Sequence, residues 1–241
     1  MKEIDKVLKN SEVAMTQNDP VYESVDEDEL MKSQMEKMVD SYDSYMRKVT
    51  FGREGALRAM TVNLAPVKPG DCVLEVGCGT GSLTLTAKKQ AGASGKVFGI
   101  DIIPGMIELS RQKASQANEE ITYQLGSIAD IPFPANHFDI VMCSFMIFHM
   151  SETTRQKGIA EIFRVLKPQG CWLVLDSATP TRSWLKTFVK MLSGGELPPD
   201  LRVLQPLMES CGFSDIEIAP VNFRLLGFSP LTFVRGIAQK N

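Results

Sequence analysis

A doubly wound α/β fold around a mostly parallel sheet is predicted by three observations. Beyond Pro66, short buried-type apolar runs alternate with amphipathic segments of helical period. One junction between them, Val73–Gly81, reads VLEVGCGTG, a strand running into a glycine-rich turn and then a helix. The next apolar run ends on an acid, Asp101. Alternation of this kind places helices on both faces of a parallel sheet. At 241 residues the chain is long enough for one complete domain.

The elements follow in order. Residues 1–30 read as an acidic leader, because 10–30 carry many carboxylates and no lysine or arginine. Residues 31–241 read as one domain. Met31, Met35, Met38, Tyr42, Tyr45 and Val49 recur at alternating steps of four and three, predicting one N-terminal helix over about 31–50. Pro66, Pro69 and Gly70 punctuate. Strands are expected at Cys72–Val76, 96–100, 121–125, Phe138–Ser144 and 171–176, with helices at 81–90 and 105–118 between them. Ser151 reads as the N-cap of a helix that Pro168 and Gly170 bring to an end. A short amphipathic helix around Trp184 and a further helix ended by Gly212 come before two last strands, at 216–223 and 231–238.

Composition narrows the partners. A formal net charge of −3 argues against a nucleic-acid partner. The five cysteines are scattered without a CxxC pair, which suits a reducing, cytoplasmic setting better than disulfides. With only two histidines, no metal is expected. The longest apolar-rich stretch, 140–150, is too short to span a bilayer, so stable membrane insertion is not expected.

The glycine loop carries the chemistry. Gly77, Gly79 and Gly81 permit a sharp turn and a close backbone approach to a ligand. The spacing is GxGxG, and Ser82 stands where a dinucleotide fingerprint wants its last glycine. Glu75 lies inside the strand, in place to meet a cationic group, and Asp101 is in place to accept ribose hydroxyls.

These stretches, followed by IPFPANHFDIVMCSFMIFHM and EIFRVLKPQGCWLVLD, resemble the class I S-adenosylmethionine-dependent methyltransferases. The similarity is greatest to the ubiquinone/menaquinone C-methyltransferase group and runs from about Ser41 to Asp176. It implies a Rossmann-like, seven-stranded sheet whose last strand is antiparallel. It implies S-adenosyl-L-methionine as cofactor, with S-adenosyl-L-homocysteine as product. Gly77, Cys78 and Gly79 would pass the methionine part, Asp101 would hold the ribose, and Ile102, Met106 and Ile128 would pack around the adenine. Ser127 stands where the family has an acid for the adenine amino group, and Ser144 closes the fourth strand beside the cofactor. The stretch 177–199 is shorter than the insertion of the quinone enzymes.

The acceptor side is expected in the loop after the fourth strand, Phe145 to Met150, an apolar segment with one imidazole, His149. His149 is a candidate proton acceptor. Tyr42 and Tyr45 on the N-terminal helix are candidates to present a hydroxyl; its stripe alone reads as either core or lid, and the family resemblance implies a lid helix over about 31–50. Arg53 is a candidate partner for the cofactor carboxylate. The acceptor is expected to be a small apolar or aromatic molecule. Two alternatives stay open: a protein that binds the cofactor without turnover, and a nicotinamide oxidoreductase, which Ser82 and Glu75 disfavour.

Overall fold

The computed structural model describes residues 27–179, 186–187, 200–224 and 231–240. Residues 1–26 of the expected leader and most of the helix expected around Trp184 lie outside them. The N-terminal region comprises α1 (Glu27–Met38), a 3-10 turn (Val39–Ser41), α2 (Tyr42–Val49) and α3 (Glu54–Leu64). Then come β1 (Cys72–Val76), α4 (Ser82–Ala91), β2 (Lys96–Asp101), α5 (Pro104–Gln116), β3 (Thr122–Leu125) and β4 (Phe138–Ser144). The chain continues through α6 (Glu152–Val165), β5 (Leu166–Ser177), α7 (Leu204–Cys211), β6 (Phe213–Pro220) and β7 (Leu231–Ala238). The seven strands lie in the order β3-β2-β1-β4-β5-β7-β6. Only β7 runs antiparallel to its neighbours, inserted between β5 and β6.

Strand alternation sorts the core into two layers. Leu74, Val141, Trp172 and Val174 face Ile159 and Ile162 of α6 and Leu204 and Met208 of α7. Val73, Met142 and Leu173 face Leu57 and Val62 of α3 and Leu83 and Ala87 of α4. β1 sits centrally, pairing Val76 with Ile100 of β2 and with Cys143 of β4. The carboxyl ends of these three strands therefore open on one edge, where ligands of such sheets bind. Asp139 lies at the opposite edge. It accepts from the Cys72 amide at 2.9 Å and pairs with Lys167 at 2.7 Å, so it ties strands together.

Several boundaries depart from expectation, among them the start of β5, which begins at Leu166 and takes Pro168 and Gly170 into the strand. The N-terminal helix starts at Glu27, so part of the stretch read as leader is helical. It also breaks at Val39–Ser41. A β-branched residue, an aspartate and a serine in a row are weak helix formers, and the Ser41 hydroxyl donates back to the Met38 carbonyl at 3.2 Å. The penultimate strand runs Phe213–Pro220 rather than 216–223, and Val221 just beyond it still donates to the Leu231 carbonyl at 3.0 Å. Ser151 caps α6 as expected, its hydroxyl accepting from the Thr154 amide at 3.2 Å.

A glycine inside α6 tests how tightly this frame is packed. Replacing a mid-helix glycine by alanine ordinarily stabilises by about 1 kcal/mol. At Gly158 the added Cβ would lie 2.6 Å from Cγ1 of buried Ile128. Overpacking of that kind costs about 1–3 kcal/mol. Gly158→Ala is therefore expected to lower the melting temperature in scanning calorimetry, and a rise would mean that Ile128 has room to move.

Candidate functional site

A cavity of about 370 Å³ opens on the carboxyl edge of β1, β2 and β4. Its floor is Val76, Gly77, Gly79 and Asp101. Ile102, Ile103, Met106, Ser127 and Ile128 line one side, and Ser144, Phe145, Met146, His149 and Met150 the other. Asp28, Met31, Lys32, Met35 and Tyr42 line it from α1 and the start of α2.

The floor is rigid because the glycine loop and the end of β2 hold each other. Gly77 and Gly79 have φ of +69° and +51°, a region that side chains rarely adopt. A Cβ on Gly77 would lie 2.9 Å from Met146 Cγ. Asp101 Oδ2 accepts from the Gly79 amide at 2.9 Å, and Oδ1 from the Ile103 amide at 3.0 Å. Burial raises the pKa of this carboxyl, and its backbone hydrogen bonds pull the other way. Each oxygen keeps a second lone pair for a ligand hydroxyl.

Behind the floor lie two buried ionisable side chains, Glu75 and Arg58. Glu75 is 2% exposed, and its Oε2 has no hydrogen-bond partner. Burial pushes its pKa to about 8, against the opposing pull of the nearby Arg58 charge and of Thr84. Arg58, which the sequence reading passed over, is buried on α3. Its Nη2 lies 3.4 Å from Glu54, its Nη1 donates to Ser144 Oγ at 3.5 Å, and its Nε is unpaired. It also hydrogen-bonds Tyr42, whose hydroxyl pKa is raised chiefly by burial. The signal available in sequence was a lone arginine among Leu57, Ala59 and Met60.

The remaining expectations divide. Gly81 takes φ +80°, but a Cβ there would meet the Tyr123 hydroxyl at 2.6 Å, so its glycine answers to packing behind the loop. Cys78 is buried in a small cluster with Ile107, Ala114 and Tyr123. Ser127 lines the cavity, and its hydroxyl accepts from the Ala129 amide at 3.1 Å. Tyr42 faces the cavity and covers Gly79, whereas Tyr45 is 42% exposed and outside it. Arg53 donates to the Arg224 carbonyl at 2.8 Å and stacks over Phe223, away from the cavity lining. His149 lines the cavity close to buried Asp176 at the end of β5. Burial raises the Asp176 pKa, a nearby His149 charge would lower it, and Asp176 Oδ2 has no hydrogen-bond partner.

The helices over the cavity are tied down at both ends. Asp28 accepts from the Ser151 amide at 2.7 Å and from the Ser151 hydroxyl at 3.1 Å, and it bonds the Thr154 hydroxyl. It thus places a carboxylate on the N-terminus of α6, where the helix dipole favours one. At the other end Asp43 pairs with Lys113 at 2.7 Å and accepts from the Thr80 hydroxyl at 2.7 Å.

Comparison with known proteins adds independent findings. A family model described as a methyltransferase domain matches residues 73–170. The chain is 34% identical over 165 residues to the ubiquinone/menaquinone biosynthesis C-methyltransferase UbiE of Paraburkholderia phymatum, covering 67% of each chain. It is 33% identical over 163 residues to the demethylmenaquinone methyltransferase of Symbiobacterium thermophilum, a match spanning 67% of this chain and 64% of that one. A SAM-dependent methyltransferase from Aquifex aeolicus shares the fold, with a TM-score of 0.63 at 21% identity over 84% of this chain and 98% of that one.

Two predictions follow from this geometry. Glu75 binds its proton more tightly folded than unfolded, so it contributes stability below pH 4.5 that is lost progressively as pH rises towards about 8. Glu75→Gln should remove that loss, and the gap between the two ligand-free melting curves should widen across this window. A constant gap would place the proton elsewhere. Asp28→Ala should speed amide hydrogen exchange in α1 and leave β1 unchanged. Equal exchange in both proteins would mean that the Asp28 contacts do not hold the helix.

Proposed function

This chain belongs to the class I S-adenosylmethionine-dependent methyltransferases, close to the UbiE-like group, and from that premise we propose that it methylates a small, apolar, quinone-like ring. The observation that carries the reading is the Asp101 carboxylate, fixed by two backbone N–H groups beside the Gly77–Gly79 turn on the floor of a mainly apolar cavity.

The residues fit the cofactor. Asp101 presents free lone pairs to the two ribose hydroxyls. Ile102, Met106 and Ile128 form an apolar slot for the adenine, with Ser127 at its rim. The unpaired carboxyl oxygen of Glu75 is an acceptor for the ammonium of the methionine end, and the Arg58 guanidinium supplies a positive charge for its carboxylate. Arg58, buried on α3 and bonded to Ser144, is our candidate for that carboxylate in place of Arg53, which is held by the Arg224 carbonyl.

S-adenosylmethionine supplies a methyl group already activated on a sulfonium. The protein's share of the work is to position the acceptor, exclude water and manage a proton. Tyr42 covers the glycine turn and closes the cofactor side from solvent. Met31, Met35, Phe145, Met146 and Met150 form an adaptable apolar chamber, which suits a ring held within about 3–3.5 Å of the reacting methyl. A ring carbon or phenol oxygen must lose a proton on methylation, and the His149 imidazole at the chamber wall receives it. Names of relatives that act on quinone precursors support this acceptor class.

The test is transfer of labelled methyl from S-adenosylmethionine to quinone precursors, phenols and amines. Turnover on a naphthoquinol-type ring, lost in His149→Gln with cofactor affinity unchanged, is expected. Transfer confined to amines would overturn the acceptor class. S-adenosylhomocysteine at about a hundred times its Kd should stabilise the protein by about 2.7 kcal/mol, whereas NAD should not. Asp101→Ala should weaken that binding by roughly 10- to 100-fold. Unchanged calorimetric affinity would place the ribose elsewhere.

A further inference from the structure

The end of α2 carries a feature that neither packing nor the cavity uses. Phe51 is 65% exposed, the most exposed large apolar side chain among the described residues. It also sits at φ +52°, a strained conformation for an aromatic residue. Strain held at a position whose side chain gains no burial points to a use for the bare ring. Tyr45 and Val49, one helical turn apart on α2, are exposed beside it at 42% and 41%.

The charges around this tip are lopsided. Arg47, Lys48 and Arg53 are exposed. The two acids within 41–54 are already engaged, Asp43 by Lys113 and Glu54 by Arg58. A local basic excess thus stands on a chain of net charge −3. The helix dipole accounts for cations in the last turn of α2. It does not account for the exposed ring of Phe51 beside them.

We infer that this tip, Tyr45, Arg47, Lys48, Val49 and Phe51, docks the protein reversibly on an anionic lipid surface. The inference rests on the apolar acceptor proposed above, because such an acceptor partitions into lipid. Exposed aromatic and aliphatic side chains enter the headgroup boundary, and basic residues meet anionic headgroups. The same short helix begins at Tyr42 on the cavity and ends eight residues later, a span of roughly 12 Å. Docking the tip brings the cavity mouth near the membrane plane, where an apolar acceptor is found. No described helix is long and apolar enough to cross a membrane, so the contact is peripheral.

The experiment is co-sedimentation of the full chain with phosphatidylcholine vesicles, with and without phosphatidylglycerol. Two variants leave the cavity intact. Phe51→Asn removes the ring and suits a positive φ, so folding is preserved. Arg47→Glu/Lys48→Glu reverses the charge. The wild type should bind phosphatidylglycerol vesicles in a salt-sensitive way and bind pure phosphatidylcholine weakly. Each variant should lose on the order of tenfold in partitioning, with the S-adenosylhomocysteine thermal shift retained. Wild-type protein that stays in the supernatant, or variants that bind as well as it does, would overturn the inference. Equal binding to both vesicle types would overturn the electrostatic part. Sedimentation does not depend on turnover. Methyl transfer to a soluble acceptor without vesicle binding would sink this inference alone, and vesicle binding without any transfer would sink the proposed function alone.

Discussion

The carboxylate of Asp101, bonded to the Gly79 amide at 2.9 Å and the Ile103 amide at 3.0 Å, joins the end of β2 to the turn that leaves β1. These charge-assisted bonds form where the carboxyl is almost fully buried, and there they are stronger than in water. They hold the glycine turn in its left-handed conformation and the following backbone in its approach to α5. Much of the cavity floor is defined relative to this one side chain. The sheet supplies the frame, since parallel pairing of β1 with β2 and β4 brings Val76, Ile100 and Cys143 level at one edge.

Over that floor the chain lays a less firmly packed cover. α1 has no residue classed as buried, and α2 has only Met46. What holds them is largely polar: Asp28 on the N-terminus of α6, and Asp43 on Lys113 and Thr80. Such contacts release more readily than an apolar interface of equal extent, because water replaces the hydrogen bonds on opening. A cover tied this way, split by the turn at Val39–Ser41, suits a site that must open for each apolar ligand. Methionines on both sides of the cavity fit the same demand, since their flexible chains repack around rings of different outline.

Local signals made most of the frame legible. Alternating apolar runs placed the strands, Ser151 marked the start of α6, and Pro104 stands at the first position of α5. The glycine turn and Asp101 marked the cofactor side of the cavity, because left-handed backbone and a strand-end carboxylate both leave traces in residue type. Tyr42 and Tyr45 were indistinguishable in sequence, both lying on one apolar stripe. The 3-10 turn before α2 set the rotation of that helix and turned only Tyr42 to the cavity. Likewise Arg53 and Arg58 read alike, and only the packing of α3 on the sheet buried the second and left the first outside.

The sequence by itself determined the α/β class, the glycine turn after β1 and the acid at the end of β2, since each depends on backbone sterics and on spacing within one strand-turn-helix unit. It also determined the family, through several such units in a set order. Tertiary structure alone decided which glycine lines the cavity and which serves packing. Gly77 and Gly79 line the cavity, whereas Gly81 makes room for Tyr123, a residue 42 positions away. It alone set Arg58 near Glu75, Asp28 on Ser151 and Asp176 near His149. Those pairings join residues far apart in the chain, and their energies come from burial and shared hydrogen bonds that exist only once the sheet and its helices have closed.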